Sequence, residues 1–512
     1  MLIRTFSSAV AGIDAVTVTI EVNVSQGIRF FLVGLPDSAV KESQQRIESA
    51  LRALGYHWPG RQVVINMAPA DIRKEGSSYD LPLAVGILAA DGKISGSELE
   101  NYVLVGELSL DGSLQPARGV LPISMRARDE GFRGVIVPEK NAREAAVVDG
   151  LEVYGMETLG DVVDFFNCTR TFTPVKVDLQ EIFNNEANKY DIDFSDVKGQ
   201  ENVKRALEVA AAGGHNILMI GPPGAGKTML AKRIPTIIPP LTLEEALETT
   251  RIHSVAGKID DHTALMTRRP FRSPHHTISD VALVGGGTNP QPGEISLGHN
   301  GVLFLDELPE FKRSVLEVMR QPLEDRVITI SRAKSTVDYP ASFMLVASMN
   351  PCPCGFHNHP EKECVCTPGM VQKYLNRISG PLMDRIDIHI EVVPVNYEKL
   401  SGKFTVENSN SVRERVIKAR AIQANRFRGI SGIYCNAQMS PAMQRKYCQL
   451  DEISGKLLKT AMEIRGLSAR AYDRILKVAR TIADLDESEN ILPEHVSEAI
   501  NYRNLDREGW AN

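Results

Sequence analysis

Eight consecutive residues constrain this chain most: Gly221, Pro222, Pro223, Gly224, Ala225, Gly226, Lys227 and Thr228. They satisfy the pattern G-x-x-x-x-G-K-[ST], follow the apolar run Ile217-Leu-Met-Ile220 and precede a helical pattern starting near Met229. Strand, glycine loop and helix in that order make a phosphate cradle. Glycines let backbone N–H groups approach the phosphate oxygens, the helix N-terminus adds positive potential, and Lys227 reaches the β- and γ-phosphates. The Thr228 hydroxyl is placed to ligate Mg2+, so ATP with Mg2+ is the expected ligand. Strands alternating with helices here also imply a parallel sheet covered on both faces.

The partner groups follow in order. Val302-Leu-Phe-Leu-Asp306-Glu307 is an apolar strand ending in an acidic pair, about eighty residues after the loop. Asp306 is the candidate Mg2+ ligand and Glu307 the candidate base that polarises the attacking water. A third apolar run, Ser342–Asn350, ends in an amide that can bond the γ-phosphate or the water. The alternative for Asn350 is a cap on the Asn350-Pro351 turn.

A chain of 512 residues exceeds what one core accommodates, and two or three domains are expected. Residues 1–167 read as mixed α/β: strands at Val16–Val24, Arg61–Met67, Val103–Leu108, Gly134–Val137 and Leu151–Tyr154, with helices over 39–54 and Leu81–Ala90. Residues 168–192 are polar and acidic and read as a linker to the 193–397 nucleotide domain. A second polar break at 398–411 precedes a helix-rich tail, 412–512.

Hydrophobic residues at 43% and charged residues at 24% suit a soluble globular protein. No apolar run reaches the roughly eighteen residues that cross a bilayer, and the first ten residues lack a basic, apolar leader. A cytoplasmic protein without membrane contact is expected. The net charge of −6 does not advertise nucleic-acid binding, which would need a local basic surface.

Seven cysteines are too few for a disulfide scaffold in a chain this long, but four cluster. Cys352-Pro-Cys354 and Cys364-Val-Cys366 are separated by nine residues just after Asn350. Two tight thiolate pairs can close a structural Zn2+ site and pin a loop, with His357 or His359 as substitutes for a thiolate. Free or redox-active cysteines are the alternative.

The loop, the acidic pair, Asn350 and the helical tail together resemble the AAA+ ATPases. Phe271-Arg-Ser-Pro-His-His276, Gly285-Gly-Gly, Pro292-Gly-Glu294 and Gly298-His-Asn-Gly-Val302 narrow the resemblance to the magnesium-chelatase-like branch and its bacterial ComM/YifB family. That resemblance implies a homo-hexameric ring with ATP held between subunits. It assigns Arg385, in Leu382-Met-Asp-Arg-Ile-Asp-Ile388, as an arginine finger and Arg470, in Leu467-Ser-Ala-Arg470, as a second sensor. Read from the residues alone, either arginine is equally a surface ion pair.

Val327–Tyr339 alternates like a hairpin, with Arg332 and Lys334 near its turn. In related helicases a hairpin here grips nucleic acid in the ring channel; otherwise its charges merely face solvent. The implied partner is single-stranded or branched DNA, and the implied function is ATP-driven translocation or branch migration in recombination and natural transformation. The alternative is a protein-remodelling or chelatase-type motor that does not act on DNA.

Residues 1–165 resemble the S5-like proteolytic domain of Lon proteases. In Arg73-Lys-Glu-Gly-Ser-Ser78-Tyr-Asp80, Ser78 falls at the nucleophile, and Gly106–Pro116 matches the strand turn that follows. The Lon dyad needs a lysine to take the serine proton, and Leu121 stands in its place. The expectation is an α+β domain with a binding or assembly role, a central AAA+ parallel-sheet domain, and a C-terminal helical lid.

Overall fold

A computed structural model describes residues 2–186, 190–260, 263–287, 290–332, 335–357, 359, 361–395, 406–430 and 432–503. The N-terminal domain is built on a seven-stranded sheet. Strands β1 (Leu2–Ala11) and β2 (Asp14–Ser25) pair antiparallel from Leu2↔Asn23 to Ala11↔Asp14. With β3 (Phe30–Val33), β4 (Gln62–Ala68), β5 (Tyr102–Leu104), β6 (Gly134–Pro138) and β7 (Glu152–Met156), the sheet order is β3-β4-β2-β1-β5-β6-β7. On β2, Val18, Ile20, Val22 and Val24 alternate inward, the period-two burial its sequence prescribes.

Three details differ from the sequence expectation. The 39–54 helix is two pieces, Ser38–Lys41 and Ser43–Ala53, meeting at Glu42. The run 103–108 breaks after Leu104, because the Gly106 N–H and C=O turn aside to bond Ser78 O and Leu81 N. Strand β1 and the helix Val120–Asp129 are additional elements.

The central domain carries a parallel sheet of β8 (Ile217–Ile220), β9 (Phe271–Arg272), β10 (Val302–Leu305), β13 (Met344–Met349) and β14 (Ile388–Glu391), in the order β9-β10-β13-β8-β14. Every residue of β8, β10 and β13 is buried, as strands covered on both faces require. Between β10 and β13 stands a separate antiparallel hairpin, β11 (Val327–Arg332) and β12 (Ser335–Pro340).

The C-terminal helices include Ser409–Arg426, Pro441–Tyr447, Glu452–Arg465, Ala469–Leu485 and Pro493–Asn501. They share one apolar core with the central domain, with Ile475, Val478 and Ile482 among the residues buried alongside Leu207 and Ile217. Polar ties reinforce it: His215 and Thr481 lie 2.8 Å apart, and Gln423 donates to Ala212 O at 3.1 Å. Burial alone would raise the Asp387 carboxyl. The Arg474 guanidinium at 2.9 Å, with His215, instead holds it well below the carboxylate range. Among the described residues no helix is long and apolar enough to cross a membrane.

The N-terminal domain is docked on the central one. Leu121, Val147 and Val148 form an apolar seam with Leu241, Ala246, Ala264 and Leu265 of the central domain. The stretch 168–192, expected as a linker, carries the helix Leu179–Glu186, and its Leu179, Ile182 and Phe183 pack on that seam. At the seam edge the buried Glu144 carboxylate accepts from the Leu121 N–H at 3.0 Å and from the Ser254 hydroxyl. The Gly119 N–H bonds Ser254 O at 3.1 Å, and Arg251 pairs with Asp14 in the β1–β2 turn. That turn also touches the hairpin: at Gly12, with φ of +66°, a Cβ would stand 2.7 Å from Val337 Cγ1.

Candidate active site

Parallel strands align their carboxyl ends, and in open α/β sheets that edge is where ligands bind. The register Ile220↔Met349 and Leu305↔Ala347 brings the exits of β8, β13 and β10 side by side. Gly221, Asn350 and Asp306 leave the sheet there. The buried Lys227 ammonium, at the start of helix Lys227–Arg233, donates to Gly221 O at 2.6 Å, Pro222 O at 3.0 Å and Asn350 Oδ1 at 3.1 Å. Desolvation draws Lys227 below the ordinary lysine range, with Asp306 and Glu307 opposing.

The Thr228 hydroxyl donates to Asp306 Oδ2 at 2.8 Å, so a hydroxyl and a carboxylate converge beside the loop. Hard oxygen donors of this kind fit a Mg2+ ion. Ser348 Oγ bonds the other Asp306 oxygen. Sequence reasoning passed over this serine; its signal is a lone hydroxyl inside the otherwise apolar β13. Glu307 follows with a left-handed backbone (φ 54°, ψ 49°) and its side chain half exposed.

The two candidate arginines lie elsewhere. Arg385 precedes β14, at the amino edge of the sheet: its carbonyl accepts from Asn216 Nδ2 at 3.0 Å, and Asn216 directly precedes β8. Four residues at about 3.3 Å each separate that edge from the phosphate loop by roughly 13 Å. The Arg385 guanidinium is largely buried, paired with Glu324 and donating to Pro381 O at 2.6 Å. Arg470 is exposed and pairs with Asp384 at 2.7 Å, beside Arg385. Both line one open cleft of about 190 Å³ with Glu324, Asp384, Arg474 and Lys477. The structure thus joins Arg385 to Arg470 and separates both from Lys227 of the same chain.

Immediately beyond Asn350 the four thiols converge. Their Sγ atoms all lie within 4.8 Å of one another, with Cys352–Cys354, Cys352–Cys364 and Cys354–Cys364 at 3.3, 3.7 and 3.6 Å. A tetrahedral Zn2+ with Zn–S near 2.3 Å needs S···S edges of about 3.8 Å, so the donor set fits. Neither His357 nor His359 belongs to the group. Desolvation raises the Cys354 thiol, and hydrogen bonds from the Phe356 backbone and from Cys352 overcome it, leaving it pulled down to about 6. Gly355 of this loop rests on the phosphate loop, where a Cβ would stand 2.4 Å from Pro223 Cδ.

The hairpin β11–β12 forms in the expected place, Val327↔Pro340 to Arg332↔Ser335. Lys334 and the side chain of Arg332 lie outside the described residues.

The descriptions that match the chain are "Magnesium chelatase, subunit ChlI" over residues 193–400, "Subunit ChlI of Mg-chelatase" over 20–141 and "Magnesium chelatase, subunit ChlI C-terminal" over 406–503. The competence protein ComM of Haemophilus influenzae is 44% identical across 98% of this chain and 97% of its own length. YifB of Escherichia coli is 42% identical across 98% and 96%. The chain belongs to the ComM/YifB family. This ComM/YifB chain carries the magnesium-chelatase-like AAA+ core, and its N-terminal part is also similar to Lon protease 2 of Bacillus subtilis, 32% identical over 129 residues. That match covers 25% of this chain and 23% of the protease.

In this ComM/YifB chain the Lon-like positions do not assemble a dyad. Ser78 gives its carbonyl to Gly106 N–H, while Leu121 is fully buried in the interdomain seam. The buried Lys74, four residues before Ser78, donates to Pro69 O, and desolvation lowers its pKa.

Proposed function

We propose that the chain is a ring-forming ATPase that couples ATP hydrolysis to movement along DNA. The observation that carries this reading is the split site: phosphate-binding groups at one edge of the sheet, both arginines at the other. A finger that cannot reach its own chain's loop is positioned to serve a neighbour's, which favours a closed ring, a homo-hexamer by family resemblance.

In such a ring the phosphate loop Gly221–Thr228 cradles ATP, with Lys227 on the β- and γ-phosphates. Thr228 and Asp306 would hold Mg2+, which supplies charge neutralisation on the phosphate oxygens. Glu307 polarises the attacking water and Asn350 orients it. Arg385 and Arg470 of one subunit approach the γ-phosphate bound by the next, where an arginine stabilises developing charge. Cys352, Cys354, Cys364 and Cys366 would hold Zn2+ as a closed structural site, with no open position for chemistry.

DNA is favoured as the track by two supports: the name of the Haemophilus influenzae relative ties that protein to competence, and the sequence carries Arg332 and Lys334 in the stretch expected as the hairpin turn. Repeated around a ring, these cations make a basic channel within an acidic protein. The test is the ATPase rate with and without single-stranded and branched DNA, together with DNA affinity against salt. Stimulation with salt-sensitive binding is expected. Neither effect would leave a motor that acts on protein or on a tetrapyrrole.

A further inference from the structure

Glu307 is held by a side chain that the nucleotide reading does not use. Its backbone is fixed in the left-handed region, a conformation that side chains other than glycine rarely adopt, and its carbonyl accepts from the Glu310 N–H at 2.8 Å. Its N–H points to Asp306 Oδ1 at 3.0 Å. The carboxylate itself extends away from these anchors, half exposed. Among the described residues its ion-pair partner is His276, whose Nδ1 stands 3.5 Å from Glu307 Oε2.

The imidazole is not free to wander. His275 lies against it with centroids 4.1 Å apart, and Phe311, four residues beyond Glu307, meets its plane edge-on at 6.4 Å. His275 is in turn held by Thr277, 2.9 Å from its Nδ1. His276 is therefore a braced donor at the tip of the segment that leaves β9, aimed at a carboxylate that leaves the neighbouring strand β10.

We propose that His276 is a positioning residue for ATP hydrolysis, which orients the Glu307 carboxylate toward the attacking water. The segment that carries it continues into the helix Asp280–Val284 and the paired strands Gly285–Gly286 and Gln291–Pro292, and this pair rests on the channel hairpin. Tyr339 Oη donates to Pro290 O at 2.7 Å, and a Cβ at Gly285 would stand 3.0 Å from Ile330 Cδ1. The element that aims Glu307 is thus the same one that touches β11 and β12. This inference rests on Glu307 being the water-activating carboxylate.

At 3.5 Å the His276–Glu307 contact is a long electrostatic one between part-exposed side chains, and losing it is expected to cost roughly fivefold in rate. The test is steady-state ATP turnover by the full chain without DNA, so that it stands apart from the choice of track. His276→Ala should lower kcat by that factor, leave KM for ATP within about twofold and leave the melting temperature in place. His276→Asn keeps an N–H donor near the Nδ1 position and should recover most of the rate. Wild-type kcat in His276→Ala would overturn the inference, as would equal impairment of the Ala and Asn variants, which marks a merely structural ring. Glu307→Gln run in parallel separates the two layers. Normal turnover in Glu307→Gln removes the underlying reading; a dead Glu307→Gln beside an unaffected His276→Ala removes this inference alone.

Discussion

In the central domain, segments far apart in the chain deliver Lys227, Asn350, Thr228 and Asp306 to one sheet edge, where hydrogen bonds of 3.1 and 2.8 Å already join Lys227 to Asn350 and Thr228 to Asp306. In the N-terminal domain a comparable motif is present around Ser78, but the residue at the base position is Leu121, turned into an apolar seam against Leu241 and Ala246. The same chain thus shows one motif whose partner groups converge and one whose expected partner position is packed against another domain. The lesson is that a motif carries chemistry only when topology brings its complement; once one member is lost, its position is available for packing.

The largest effect tests the motif whose partners converge. Lys227→Ala should reduce ATP binding below detection and turnover to background, measured by nucleotide affinity and phosphate release, because no other described cation replaces the ammonium in the cradle. Next comes the division of the site between copies. Arg385→Ala should lower turnover by about 10³-fold or more. Mixing Arg385→Ala with Lys227→Ala subunits should restore part of it, since a wild-type loop then faces a wild-type finger at some interfaces. No recovery on mixing would show that Arg385 does not act on a neighbour's loop and would dissolve the split-site reading.

Leu121 tests the packed position. Leu121→Lys puts an unpaired ammonium into the seam and should destabilise the protein by about 3 kcal/mol or more, read by denaturant melting. Peptidase activity in that variant, dependent on Ser78, would show that the domain is one residue from protease rather than committed to docking. A smaller effect lies at Glu144. Burial holds its carboxyl above the ordinary glutamate range, so the native state keeps a proton that the unfolded chain releases. Stability should therefore fall as pH rises through the interval above that ordinary range. Glu144→Gln should flatten that slope. Ser78→Ala should change neither ATP turnover nor melting, and a clear defect would return chemistry to the N-terminal domain.

Much of this was legible in the sequence because it is local. A parallel strand buried on both faces, such as Val302–Leu305, reads as an unbroken apolar run, and a loop that binds phosphate needs its glycines at fixed spacing. The four-cysteine cluster was legible for the same reason. What stayed hidden depends on docking between distant segments. Nothing in Gly119-Val-Leu-Pro-Ile123 announces that Leu121 faces a second domain, and the polar tone of 168–192 conceals the three apolar residues that lie on the seam. His276 stood in a conspicuous Pro-His-His motif, yet its aim at Glu307 depends on β9 and β10 being neighbours in the sheet. The company that Arg470 keeps with Arg385 likewise follows from how the lid sits, not from either local pattern.

The contact between Gly12 and Val337 has a mechanical meaning. A hairpin that grips a polymer, as proposed for this one, must pass the reaction force into something stiff, and it has two footings. One is its own domain, through Tyr339 and Pro290; the other is the β1–β2 turn, which Arg251 also clasps at Asp14. Load on the hairpin would therefore divide between the central domain and the N-terminal domain. Under the proposed motor reading the N-terminal domain is an abutment, a role that asks for stiffness and for no catalytic dyad.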